Sequence, residues 1–467
     1  MAGTETDKNE LKRVIGLTTA ILLVAGNIIG TGVFKKIVPM SQSGLDEKYI
    51  LGAWIVAGII TMFGAFSVAG LAKLTSVTGG AFEYLRLCFG DLTGFLFGWG
   101  YFTILGSGSI AAVAFIFSQS LNSMITLPDP LHQWKDLAVG SVHPFADSGI
   151  KILAVLLIML LTWFNYRGTK NAAGLNNAVT GTKILGIVLL IVLGLFFSHS
   201  EVAANIAQPI AQHQGFPFAA FFAIMLSAFW AYDGFVNLGA ISGEIINPKK
   251  NIPIAIITGV SIVLILYVLV NYAYMNSMSL DQLAAVGENK VAAIVVAETI
   301  IGHTGTVLIS SLILLSTFGY INAAVLVFAR YYYRMAQENL FFKKAASVHP
   351  VYRTPHMALV YSMIWSCILV MSGTFDLLTD MVVFGAFAFY CLLAIGLIKM
   401  KMKGAIKEKI PGYPFAPVLF ILLIGSFLIS TLIDSPVKNL IGIALILSGV
   451  PFYFLFKKNK LKNDSVA

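Results

Sequence analysis

Apolar residues gather into long runs at 14–34, 50–73, 92–120, 150–165, 176–197, 217–243, 253–275, 293–330, 357–373, 381–399, 415–433 and 438–456. A helix crossing the hydrocarbon core of a bilayer needs about 20 such residues. The pattern therefore predicts an all-α membrane protein with twelve transmembrane helices. The runs 92–120 and 293–330 exceed one crossing, so tilt or helical extension beyond the lipid is expected there.

Two runs are interrupted. "VAGNIIGTGVF" (24–34) sets Gly26, Gly30 and Gly32 beside the polar Asn27 and Thr31. "FWAYDGFVNLGAISGE" (229–244) does the same with Asp233, Gly234, Asn237, Gly239, Ser242 and Gly243. These are spans 1 and 6, five apart. Two five-helix units, 14–197 and 217–399, would each start with a broken helix. An odd helix count inverts one unit against the other, as in secondary transporters with broken helices at the midplane. Spans 11 and 12 (415–456) are then accessory, and 1–13 and 457–467 are tails.

A broken helix leaves backbone N–H groups unpaired where its second half starts, and C=O groups where its first half ends. Facing lipid, each costs several kcal/mol, so the breaks should line a cavity, water or a ligand. A zwitterion suits them. N–H groups of Thr31, Gly32 and Val33, assisted by the Thr31 hydroxyl, are expected to hold a carboxylate. Carbonyls near Ile28 and Trp230 are expected to hold an amine. Gly26-x-x-x-Gly30 alone also reads as a small-xxx-small packing face; Asn27, Thr31, Gly32 and the second break favour binding. Asp233 has two readings: a cap accepting from Phe235 or Val236 N–H, or a group contacting substrate or a proton.

In span 5, Asn176, Thr180 and Lys183 share one helix face. Lys183 either snorkels to the surface or stands as an internal cation. In the second case it would donate to a carbonyl near Gly26 and to Ser316 or Thr317 in span 8. A lysine that releases its proton would permit proton coupling; a permanent ammonium would link the broken helices mechanically and suit exchange.

The chain of 467 residues is 58% hydrophobic and only 11% charged, which fits a membrane protein and not a soluble globule of this length. Its net charge of +9 is a topology signal. With odd-numbered spans starting inside, the outer segments hold only Lys35, Lys36, Lys48, Lys135, Lys151, Lys290 and Lys438. The remaining lysines and arginines lie inside, apart from Lys183 within its span, so both termini are expected in the cytoplasm of a multi-pass cell-membrane protein. Scattered over short loops, these charges make no nucleic-acid stripe. "MAGTETDKNELKR" lacks the apolar core of a cleaved signal peptide. The loop 123–149 is the one stretch long enough for much extramembrane structure, and Cys88, Cys367 and Cys391 all lie outside it. Seven histidines sit in loops or span ends without metal-ligand spacing, so no metal, cofactor or catalytic group is expected. A channel would need a continuous polar path, where these spans offer localised breaks.

"GNIIGTGVF", "TGGAFEYLRLCFG" (78–90), "FWAYDGF" (229–235), "GEIINPKKNIPIAI" (243–256) and "RTPHMALVYS" (353–362) resemble the amino acid–polyamine–organocation transporters. The likeness runs from about residue 10 to 458 and is nearest to the L-type amino acid transporter branch, in particular bacterial serine/threonine and alanine-serine-cysteine exchangers. The resemblance implies a leucine-transporter-type fold, alternating access and exchange of neutral amino acids; an internal ammonium at Lys183 would repel sodium, so sodium-independent exchange of small neutral L-amino acids is expected. A proton-coupled amino acid or polyamine symporter is the alternative. It carries carboxylate binding to Thr31 and Gly32, amine binding to the carbonyls of Ile28, Trp230 and Asp233, the gate to Trp230 and coupling to Lys183. A sodium ion often fills the place of that lysine in related transporters. Trp230 stands where phenylalanine is common. Animal members bind a heavy subunit through a cysteine in the loop after span 3; none is present here, so no disulfide-linked heavy subunit is expected.

Overall fold

The computed structural model describes residues 15–75, 79–138, 143–168, 172–197, 218–287, 289–352 and 354–464. The chain folds into α1 (Leu17–Ile28), α2 (Gly32–Lys35), α3 (Ile37–Ser41), α4 (Glu47–Leu71), α5 (Gly80–Phe89), α6 (Asp91–Gly100) and α7 (Gly106–Met124). Next come α8 (Ser148–Arg167), α9 (Ala172–Phe196), α10 (Phe218–Tyr232), α11 (Pro248–Ser277), α12 (Leu280–Ala284) and α13 (Ala292–Ile301). The last are α14 (His303–Gln337), α15 (His356–Ser372), α16 (Phe375–Met402), α17 (Phe415–Asp434), α18 (Pro436–Leu447) and α19 (Gly449–Asp464). Among the described residues ten helical stretches are long and apolar enough to cross a bilayer. The broken first segment and the 17-residue α15 supply the other expected crossings.

Large apolar side chains stay exposed on the perimeter, including Leu156 and Trp163 of α8, Leu185 of α9, and Leu422, Ile429 and Ile433 of α17. Lipid is the medium in which such faces cost nothing. Inside, α1 packs on α9 and α11, and α10 packs on α4, α16 and α17. The broken segments are thus surrounded by protein.

Two long runs differ from expectation. The run 293–330 is not one tilted helix: Gly302, at φ 63°, ends α13 and turns the chain into α14. A single 38-residue helix would reach about 57 Å, far beyond the core thickness. So α13, with α12, lies over the broken first segment, α12 on α3 and α13 on α2. The run 92–120 stays continuous from Asp91 to Met124 but widens to a π-turn at Tyr101–Leu105. Tyr332 Oη donates to the Tyr101 carbonyl at 3.0 Å, and Trp365 Nε1 donates to the Thr103 carbonyl at 2.7 Å. These neighbours meet the carbonyls that a wider turn exposes.

Candidate functional site: two helix breaks held face to face

Helix α1 ends at Ile28 and α2 starts at Gly32. Helix α10 ends at Tyr232; a turn with Gly234 at φ 108° follows, and Asn237–Glu244 continues as 3-10 helix. The second half of span 6 is therefore not α-helical, in keeping with Gly239, Ser242 and Gly243. The breaks interlock. A Cβ on Gly32 would meet Ala231 Cα at 2.5 Å, and a Cβ on Gly234 would meet the Asn27 carbonyl oxygen at 2.5 Å. Each break thus presses a glycine onto the other's backbone. A Cβ on Gly30 would make only ordinary contacts, with Ile28 O at 3.8 Å and Tyr320 Cε2 at 4.0 Å.

The donors and acceptors are partly engaged. Helix α2 starts at Gly32; its Phe34 N–H donates to the Thr31 carbonyl at 3.2 Å, while the N–H groups of Gly32 and Val33 come before any i−4 carbonyl of the helix. Thr31 is buried, and Trp230 Nε1 donates to its Oγ1 at 3.4 Å. Trp230 also meets the Phe375 ring edge-on, with centroids 6.1 Å apart. On the acceptor side, the Tyr267 hydroxyl lies 3.0 Å from Ile28 O and 3.1 Å from Ala231 O. The second break therefore offers Tyr267 its Ala231 carbonyl, while Trp230 O receives the Asp233 N–H at 3.4 Å. A hydroxyl has one proton for these two carbonyls, and each carbonyl has two lone pairs, so both can still accept from an ammonium. Trp54 and Tyr232 hold the Tyr267 ring at centroid distances of 5.6 and 5.1 Å.

Lys183 is internal. It is 3% exposed, and its Nζ donates to Gly26 O at 2.7 Å and lies 5.6 Å from the Tyr320 ring centroid. Snorkelling is excluded by that burial. The ammonium does not bond Ser316 or Thr317: Thr317 Oγ1 donates to Ile313 O at 2.7 Å, and Ser316 Oγ is buried without a partner. Gly26 also packs against Thr180, as the small-residue reading has it. The Asn176 side chain lies outside the described residues.

Asp233 does not cap through Phe235 or Val236. Its Oδ1 accepts from Tyr390 Oη of α16 at 2.6 Å. Nearby, Tyr101 Oη donates to Asn237 Oδ1 at 3.1 Å. Sequence reasoning missed Tyr101, Tyr267 and Tyr390. The available signal was a tyrosine within an apolar run, because a buried phenol hydroxyl seeks a partner.

Lys35 and Lys36, expected as loop charges, are buried at 3% and 1% exposure. Lys36 Nζ donates to Asp376 Oδ1 at 2.7 Å and to Thr379 Oγ1 at 2.8 Å, with Asp380 Oδ1 at 3.8 Å. This ties the far end of the first break to α16. At the opposite end, Arg86 of α5 pairs with Glu83 at 2.7 Å and Asp91 at 3.5 Å, and α5 packs on the 3-10 segment.

A family profile described as amino acid permease matches residues 15–456. The serine/threonine exchanger SteT of Bacillus subtilis (strain 168) is 32% identical over 463 residues, covering 97% of this chain and 99% of its own. The large neutral amino acids transporter small subunit 2 of Mus musculus is 29% identical over 455 residues, 95% of this chain and 81% of its own. The Asc-type amino acid transporter 1 of Homo sapiens is 26% identical over 460 residues, 96% of this chain and 83% of its own.

Proposed function

The chain belongs to the amino acid permease family, and from that footing we propose that it exchanges small neutral L-amino acids across a cell membrane, without sodium, by alternating access. The observation that carries this is the pair of breaks held face to face, Gly32 on Ala231 and Gly234 on Asn27. The N–H groups of Gly32 and Val33 at the start of α2 receive the substrate carboxylate. Carbonyls of Ile28 and Ala231 receive its ammonium, with Tyr267 setting their spacing. Thr31 and Trp230 close over the ligand, and Phe375 backs the indole. Asp233, tied to Tyr390, stands at the side of the second break.

Lys183 supports the sodium-independent reading. Its ammonium already lies against the Gly26 carbonyl, and a second cation there would be repelled. The same bond links α9 to the end of α1, so movement of that half-helix is coupled to α9. Five-helix repeats of opposite orientation, with both termini in the cytoplasm, place the Lys36–Asp376 contact at the outer end and the Arg86–Glu83 contact at the inner end.

The protein works as a transporter and not as an enzyme, and alone instead of through a disulfide-linked subunit. Cys367 and Cys391 lie within helices, and Cys88 is buried in α5, where burial pushes its thiol up to about 11. That keeps it from the thiolate form that disulfide exchange requires.

The test is counterflow in proteoliposomes with all twenty amino acids, with and without sodium and a proton gradient. Uptake stimulated by internal serine, threonine or alanine and indifferent to sodium is expected. Uptake that follows the pH gradient without internal amino acid would make the protein a proton-coupled symporter instead.

A further inference from the structure

A cavity of about 220 Å³ lies at the Lys36 end of the bundle. Lys35, Gln119, Lys151, Asn289, Phe375 and Asp376 line it. Its wall residue Phe375 is the ring that backs Trp230. Phe375 therefore borders both the cavity and Trp230 of the second break. Its volume falls below the roughly 300–1,000 Å³ of drug-sized sites and suits a small ligand.

Its lining carries two lysines, Lys35 and Lys151, and two aspartates, Asp147 and Asp376. Lys151, in the first turn of α8, is 5% exposed, and its Nζ donates to the carbonyls of His143 at 2.6 Å and Pro144 at 3.2 Å. An ammonium has three donors, so one N–H of this buried cation remains for a ligand. Lys35 Nζ donates to Gln119 Oε1 at 2.9 Å on the same cavity wall. Asp376 is engaged by Lys36 at 2.7 Å, and Asp147 sits at the exposed rim. The N-terminus of the 28-residue α16 also borders the cavity, where its dipole favours negative charge.

Building on the exchange reading above, we propose that this cavity is an outer antechamber that takes the carboxylate of an incoming amino acid on Lys151 before the Trp230–Phe375 pair opens. The residue acts on entry from one side only. It touches neither break, so it has no part in holding substrate at the centre or in release to the cytoplasm.

The test is sided kinetics of L-serine exchange in oriented proteoliposomes. Lys151→Met should raise the external KM about tenfold, the scale of one lost charge-assisted hydrogen bond, and leave kcat and the internal KM unchanged. Lys151→Arg should restore much of the loss. Ala146→Phe, which fills the cavity from its loop wall and keeps the lysine, should reproduce the external effect, and it carries the test should Lys151→Met fail to reach the membrane. Unchanged external KM in the variants, or internal and external KM rising together, would overturn the antechamber alone. A wild type that exchanges no neutral amino acid would overturn the functional reading and this inference with it.

Discussion

Gly32 lies so close to Ala231 that an added methyl group would meet its Cα at 2.5 Å and its Cβ at 2.6 Å. The backbones of the two breaks are in direct contact, with no side chain between them. Gly32→Ala should push them apart, at about 1–3 kcal/mol for overpacking, and cut exchange at least tenfold. Gly30→Ala, with nothing nearer than 3.8 Å, is the paired control and should keep the fold. Sizing of purified protein and initial exchange rates compare the two.

Lys183→Ala removes the donor to Gly26 O and leaves that carbonyl buried. The coupling between α9 and α1 is lost while the substrate-facing groups remain. Turnover should fall tenfold or more with Kd shifting by less than threefold. A Kd shift as large as the turnover loss would make Lys183 a binding residue instead of a coupling one.

Tyr267→Phe deletes one oxygen and keeps the ring between Trp54 and Tyr232. Two buried carbonyls, of Ile28 and Ala231, then lose their shared donor. Leaving such groups unsatisfied costs about 1–3 kcal/mol. The thermal transition of the unliganded protein should drop by several degrees, and added substrate should narrow the gap, since its ammonium can occupy the same acceptors. A variant whose transition matches wild type would remove Tyr267 from the site.

Lys36→Met leaves Asp376 and Asp380 without their buried cation, although Lys438 still reaches Asp380 at 3.7 Å. The tie between the first break and α16 is cut. A cysteine placed at Phe375 should then react several-fold faster with a membrane-impermeant thiol reagent than it does with Lys36 present. Equal labelling rates would mean that the ion pair does not close this end.

Asp129 organises the loop before α8. It accepts from the Ser148 hydroxyl and from Ser148 N–H at 3.0 Å, with His132 Nδ1 also at 3.0 Å. The Ser148 hydroxyl, and then His132 and the Ser148 N–H, hold its carboxyl below the usual carboxylate range. A depressed folded pKa contributes stability above about 4 and loses it as pH falls through the folded value. Amide exchange at Ser148 should therefore quicken on acidification below about 4, relative to the intrinsic rate. Asp129→Asn should show that faster exchange at neutral pH.

Much of the architecture was readable along the chain. Runs of apolar residues must become helices in lipid, because no other segment satisfies its own backbone there. Glycine clusters at 26–32 and 234–243 marked where that rule fails, and the failures are where the breaks lie. Lys183 was identifiable as a cation inside an apolar run, and its distance from Gly26 could be anticipated only as a neighbourhood. The 293–330 run misled, since hydropathy does not register the reversal at Gly302.

Partners across helices were not readable. Ile28 was expected to offer its carbonyl freely, yet Tyr267 from α11 holds it. One of the two readings of Asp233 is a cap on its own segment, yet Tyr390 from α16 takes its carboxylate. Lys36 was counted as a loop charge, yet two aspartates of α16 surround it. What the sequence determined by itself is which segments enter the membrane and where two of them must break, because those follow from backbone hydrogen bonding within one segment. What only the tertiary structure decided is who meets the groups freed by the breaks, because that depends on how helices distant in sequence approach one another.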